Sequence, residues 1–408
     1  MRTAPAWVLL VFLAACGDQV SPTATPHAPR AAAATARAPL PNDHGPMLPG
    51  DSAATEAVPV LSRVAALMVA SLTNVAIPPD GYSHAPDAVH PDVACAPGGW
   101  NGARCWLAYT PYLQSNAAWE NPSFLVGASD TGWAIPAGVS NPVVPWPGGR
   151  DYNSDPDQVF DPATGRLVTF YRKVDDAYNN ILVTSSADGR RWRDPQLAFQ
   201  EPNHDAVSPA VVLDPGRRAR MWYVRSGTDG CRAQRTRVSM RTAEPGPHQP
   251  LEDATWSDAM DVRLSQPGFV VWHMDVIALP EWQSYLALLV SHAVGNDCAS
   301  DDLWLAMSVD GARWQVFPVP VLWRLMPAAK QLRILSWYRG TMRYDAATDS
   351  LHLWPSALTA DNRWFVYHTA VKFTDLVRLL LAATPADQPH ADLVVASRVS
   401  AAIRRRMP

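Results

Sequence analysis

The sequence predicts an all-β fold, a five-bladed β-propeller, and three observations carry that prediction. The first is residues 153–192, NSDPDQVFDPATGRLVTFYRKVDDAYNNILVTSSADGRRW. Here two β-rich runs flank a turn supplied by Asp161, Pro162 and Gly165, a third run, NILVTSS, follows, and Asp188-Gly189 makes a tight turn before Trp192. The second is that this unit recurs, with polar openers at His90-Pro91-Asp92, Asp155-Pro156-Asp157, Ser208-Pro209-Ala210, His273-Met274-Asp275 and Arg339-Gly340-Thr341. The third is the spacing of Trp133, Trp192, Trp256 and Trp314, a period of about sixty residues that suits four strands and their loops. A radial array of four-stranded sheets closes on itself and leaves only short edges.

Composition agrees with a turn-rich β protein: 38 Pro, 22 Gly and 17 Trp, with 18% charged residues. The net charge of −4 is spread along the chain without a basic stripe, which excludes a nucleic-acid partner of the usual kind.

Taken in order, residues 1–15 have a charged start, a short apolar run and Leu13-Ala14-Ala15 before Cys16, the pattern of an export signal. The Leu-Ala-Ala-Cys ending resembles the bacterial lipobox, which implies cleavage before Cys16 and acylation of its sulfur. The expected location is therefore outside the cytoplasm, lipid-anchored to a bacterial membrane, at the outer membrane or cell surface. Residues 16–59, rich in Ala, Pro, Thr and Ser, bury too little surface to offset their own ordering entropy and read as an extended tether. Residues 60–84 form an edge segment, with 60–77 apolar enough for a strand or a short helix. The propeller itself is expected over 85–375. Residues 376–408 are a tail that completes or covers the ring, or forms a terminal helix.

Export makes the four remaining cysteines readable as disulfides. Cys95 and Cys105 flank a Gly-rich connection and face each other across a hairpin; Cys231 and Cys298 occupy matching places in successive repeats, where a bridge pins two loops together.

The openers define two polar columns. One is His90, Asp155, Ser208, His273 and Arg339; the other, two residues on, is Asp92, Asp157, Ala210, Asp275 and Thr341. Residues i and i+2 share a strand face, and innermost strands line a propeller's channel, so the columns become two rings. Three carboxylates placed together repel one another and lose hydration unless His90, His273 and Arg339, a cation or a substrate compensates. Solvated polar walls are the alternative reading of the same columns.

The motif Ser186-x-Asp188-Gly189-x-x-Trp192 returns as Ser308-x-Asp310-Gly311-x-x-Trp314, with a degenerate copy, Ser129-Asp130-Thr131-Gly132-Trp133, in the first repeat. It resembles the Asp-box turn of sialidase-type propellers, whose task is structural: the Asp caps the turn and the Trp packs between blades. Together with the opener Asp residues, it makes the chain similar to the five-bladed glycosidase propellers typified by arabinanases, β-xylosidases and invertase-like enzymes. That resemblance implies a glycoside hydrolase with a carbohydrate substrate, acting as a monomer without a required cofactor, and room for a structural cation in the channel with His273 beside it.

The resemblance implies further that Asp92 is base or nucleophile and that Asp155 or Asp157 contacts the sugar and tunes its pKa. The family's third-blade Glu is missing from Val207-Ser208-Pro209, so the general acid that must protonate the leaving oxygen falls to Asp275, Glu120 or Glu201. Without it the protein binds sugar and does not cut it. Substrate contacts are expected from His90, Ser208, His273, Arg339, Tyr112, Arg172 and Arg225. Tyr109, Trp119, Trp222, Tyr223 and Trp272 lie near strand ends, as sugar platforms or as inter-blade core. A scaffold whose rim loops bind a protein is a third reading.

Overall fold

The structure, a computed structural model, describes residues 51–79, 87–127, 129–175 and 177–383. The expected signal, Cys16 and most of the tether and tail lie outside the described residues.

The chain opens with α1 (Asp51–Val69) and β1 (Thr73–Asn74). The first blade follows as β2 (Ala88–Trp100), β3 (Ala103–Pro111), β4 (Ser123–Gly127) and β5 (Trp133–Ala134). The second is β6 (Tyr152–Asp161), β7 (Arg166–Val174), β8 (Tyr178–Ser186) and β9 (Gln196–Pro202). The third is β10 (Val207–Leu213), β11 (Ala219–Arg225), β12 (Arg237–Ala243) and β13 (Met260–Asp261). After β14 (Arg263–Leu264), the fourth is β15 (Phe269–Leu279), β16 (Ser284–Ala293), β17 (Asp302–Ser308) and β18 (Arg313–Val316), with β14 parallel to its outer edge. A short α2 (Pro327–Gln331) leads to the fifth, β19 (Ile334–Asp345), β20 (Ser350–Thr359) and β21 (Trp364–Lys372), followed by α3 (Phe373–Ala382).

The fold is the five-bladed propeller the repeats predict. The ring is closed by a segment that precedes the first blade: β1 pairs antiparallel with β21, Thr73 opposite His368, and supplies the fifth blade's outer strand. Residues 60–84 are thus partly blade. The helix α1 begins at Asp51, inside the stretch expected to be tether, because Leu61, Val64 and Met68 bury against Leu376, Val377 and Leu380 of α3 and gain there the apolar burial the free chain lacks.

Both disulfides are present. Cys95 and Cys105 are paired residues of the β2–β3 hairpin, and Cys231–Cys298 joins turns of the third and fourth blades.

The two intact Asp-box turns do what their sequence implies. Asp188 Oδ1 accepts from the Arg190 and Arg191 amides at 2.9 and 2.8 Å, and Asp310 Oδ1 from Ala312 and Arg313 at the same distances. Trp192 stacks on Phe124 of the first blade at 4.4 Å, and Trp314 meets Trp222 of the third edge-on at 5.9 Å. Trp222 is therefore a core wedge rather than a sugar platform, and Tyr109 and Tyr223 are buried likewise.

Gly311 has φ +76°, and a Cβ there would sit 2.8 Å from Trp222 Cζ2. Gly311→Ala is expected to cost about 2 kcal/mol or more, read as a lower thermal midpoint with the same circular dichroism.

Burial pushes the Asp302 carboxyl up to about 7 from an ordinary 3.8, against the Arg324 amide that donates to it at 2.9 Å. The folded chain therefore holds a proton that the unfolded chain has released. This stabilising contribution is complete below about pH 4 and lost as pH rises through 7. Asp302→Asn keeps the acceptor and should melt above wild type at pH 8, with the gap closing toward pH 4 in calorimetric scans.

Candidate functional site

Each of the five inner strands breaks register at its opener. The pairing slips between Val89 and Asp92, Ser154 and Asp157, Val207 and Ala210, Val271 and His273, and Tyr338 and Gly340. In the first three blades the bulged residue is left-handed: His90 at φ 52°, Asp155 at 50° and Ser208 at 58°. Non-glycine residues held there are strained, a feature that gathers at functional sites. The bulges turn both columns toward the axis as two layers.

The deeper layer holds the ring together. Asp92 Oδ2 accepts the Gln158 amide at 2.6 Å, Asp157 Oδ1 the Val211 amide at 2.9 Å, and Asp275 Oδ2 the Met342 amide at 2.9 Å, each from the next blade. Thr341 donates to Asp92 Oδ1 at 3.0 Å. Arg339, 1% exposed, donates to the carbonyls of Pro156 at 2.8 Å and Pro209 at 3.1 Å and lies 3.6 Å from Asp157.

Burial, then the charge of Asp275, pushes Asp92 up to about 7; burial, then Asp92 and Asp275, raises Asp157 well above the usual range; burial raises Asp275 against the pull of Arg339. Asp92, Asp157 and Asp275, expected as catalytic, and Arg339, expected to touch substrate, are thus each engaged by backbone groups of a neighbouring blade, in a layer below that of Asp155.

The upper layer centres on Asp155, fully buried. Its Oδ2 meets Arg172 Nε at 3.0 Å and the Ser208 amide at 3.1 Å; its Oδ1 lies 3.3 Å from His90 Nε2 and 3.8 Å from His273 Nδ1. Burial opposes ionisation, but the Arg172 guanidinium above all holds this carboxyl well below the usual range. Ser208 Oγ, expected to touch substrate, donates to the Met274 carbonyl at 2.9 Å and so joins the third and fourth blades.

Glu120, on the loop after the turn Ala117–Trp119, closes the other side. It accepts from Ser154 Oγ and lies 3.2 Å from His90 Nδ1. The loop is tied to the second blade by the Asn153 amide donating to the Glu120 carbonyl at 3.0 Å and Asn153 Nδ2 to Asn121 Oδ1 at 2.9 Å. Tyr112 and Tyr152 stand half-buried around it, their phenols raised by burial and then, for Tyr112, by Glu120, so both remain protonated donors.

Three buried nitrogens stand out. His273 Nδ1 and Nε2 and His90 Nε2 have no hydrogen-bond partner among the described residues, and burial lowers the His273 pKa so that its ring is neutral. His90, Asp155 and His273 each offer a ligand atom within 4.8 Å of the others. Two imidazoles, an ionised carboxylate and nitrogens without hydrogen bonds fit a divalent transition metal.

Two expected site residues lie elsewhere. Arg225 pairs with Asp205 at 3.1 Å and lines a lateral cavity of about 850 Å³. Glu201 accepts from Tyr223 and Arg241 at 2.7 and 2.6 Å. Ser154, Tyr152 and Tyr338, whose ring lies 4.7 Å from that of His273 and 5.3 Å from that of His90, were missed as site residues; only the adjacency of Ser154 to Asp155 signalled any of them.

No protein-family description matches the chain. Among curated proteins it is 27% identical over 332 residues to the A type blood N-acetyl-alpha-D-galactosamine deacetylase of Flavonifractor plautii, covering 68% of this chain and 41% of that protein. The chain thus spans about two-fifths of that relative's length. Among solved structures it is similar to the N-acetylgalactosamine deacetylase from F. plautii in complex with blood group B trisaccharide, with TM-score 0.67 and 23% identity over 77% of this chain and 97% of that one. It is also similar to a thermostable family-43 glycoside hydrolase, with TM-score 0.52 and 13% identity over 72% and 91%. The fold is the five-bladed propeller of those hydrolases.

Arg339→Met leaves two buried carbonyls without their donor and Asp157 without its neighbouring cation, and is expected to cost about 3–5 kcal/mol in urea unfolding.

Proposed function

We propose that this protein is a hydrolase of N-acetylated carbohydrate that cleaves the acetamide in the axial pocket. The observation that carries the reading is the convergence of His90, Asp155 and His273, with three orphaned nitrogens, beside Glu120. The named activity of the F. plautii relative supports it.

In this reading His90, Asp155 and His273 hold a divalent cation, which when bound supplies Lewis-acid polarisation and an activated water. Glu120, beside His90, would serve as the general base and then as the acid toward the departing amine. Arg172 keeps Asp155 ionised, and the protonated phenols of Tyr112 and Tyr152 orient the acetyl oxygen and the sugar.

Glycoside hydrolysis is the second reading, favoured by the family-43 neighbour and by the pair of carboxyls, Glu120 and Asp155, that flank His90. We also propose that the chain is exported and anchored through acylated Cys16; mass spectrometry of the N-terminal peptide from the native host tests this, and an unacylated or uncleaved peptide would sink it.

The test measures acetate and new reducing ends together from a panel of N-acetylated and neutral oligosaccharides. Acetate release is expected. Glu120→Gln should lower kcat by about 10²–10⁴-fold with little change in KM. Asp92→Asn should keep turnover within a few-fold, because its side chain still accepts the Gln158 amide. Reducing ends without acetate would replace this reading with glycoside hydrolysis; binding without either product would leave a carbohydrate-binding propeller.

A further inference from the structure

In the degenerate Asp-box of the first blade Thr131 stands at the capping position, and the Asp, Asp130, comes one residue earlier. In the intact turns Asp188 and Asp310 each cap two backbone amides. Asp130 instead turns its carboxylate toward the fifth blade, where His352 of β20 and His368 of β21 project from one sheet face, His368 being two residues from Ala370, the partner of His352.

His352 Nδ1 lies 3.1 Å from His368 Nε2 and 3.5 Å from Asp130 Oδ2, and the three ligand atoms all lie within 4.8 Å of one another. Four ligands placed tetrahedrally at about 2.0–2.1 Å from a metal are separated by roughly 3.3 Å, so both measured edges match such a site. The two rings are 9% and 6% exposed. Trp354 backs them, stacked on His352 at 5.8 Å and 5.0 Å from His368, while its Nε1 donates to the Asp130 carbonyl at 2.9 Å. Asp130 Oδ1 is occupied by Arg104 at 2.9 Å and Arg343 at 3.2 Å, which leaves Oδ2 for the imidazoles. Burial lowers both His pKa values, with Arg343 next for His352 and His352 next for His368, whose value falls to about 4.

We propose that Asp130, His352 and His368 form a second metal site, separate from the axial cluster, that takes a borderline divalent transition ion such as Zn²⁺ and clasps the last blade to the first. The site stands at the ring's seam: Ala76, just past β1, bridges to Gly132 of the same turn. Two guanidiniums beside the only carboxylate disfavour hard cations, so imidazole-preferring ions bind and Ca²⁺ does not. Binding requires His352 to carry its ring proton on Nε2, which frees Nδ1 and releases no net proton.

The full chain is stripped of metal and titrated with zinc chloride, then calcium chloride, with bound zinc counted by mass spectrometry after desalting. His368→Gln and His352→Gln are each expected to bind one equivalent of zinc fewer than wild type and to lose part of the zinc-induced rise in melting temperature. Calcium should produce neither effect. Equal zinc stoichiometry in wild type and in either variant that keeps the wild-type circular dichroism overturns the proposal. Anomalous scattering at the zinc edge from wild-type crystals needs no variant: a peak among the three side chains supports the site, and its absence there at saturating zinc refutes it.

Discussion

The carboxylates of Asp92, Asp157 and Asp275 each reach across to a backbone amide of the following blade, and the axial architecture depends on those three bonds. A propeller's inner strands have no ladder between them, so their amides beside the bulges need acceptors from elsewhere. A buried carboxylate is a strong acceptor for such an amide. Its cost is desolvation and mutual repulsion, which here is met by raised pKa values and by Arg339 running through the middle of the layer. The third blade has Ala210 in place of an Asp, which keeps the number of crowded carboxyls at three.

That deeper layer determines what the upper one can be. The bulges which expose amides to the deeper carboxylates also force His90, Asp155 and Ser208 into left-handed conformations and turn their side chains onto the axis. Asp155 is then ionised by its guanidinium partner, and the neighbouring His273 is kept neutral by burial. One layer is proton-rich and structural; the other combines the ionised Asp155, two imidazoles and a carboxyl, Glu120, brought in from a loop. Three nitrogens of that upper layer, on His90 and His273, make no hydrogen bond among the described residues.

Closure of the ring follows the same economy of parts. β1 completes the fifth blade from the far end of the chain, and the helices α1 and α3 seal one flank. In the degenerate third box Thr131 holds the capping position, and the carboxylate of the residue before it, Asp130, belongs to this seam.

The sequence by itself determined the number of blades, the placement of the openers, the Asp-box turns and both disulfide pairings. All of these are local or periodic features: turn residues at fixed offsets, a repeated Trp, paired Cys in matching loops. It also placed Asp155, His90, His273, Glu120 and Arg172 among the residues of interest. Only the tertiary structure decided which of them meet. The roles of Asp92, Asp157 and Asp275 turned on whether a backbone amide of another blade lay within about 3 Å, and Arg225 and Glu201 on which side of a blade faced outward. A one-residue bulge changes the direction of every side chain beside it, and no pattern of residue types in one strand records the register of the next.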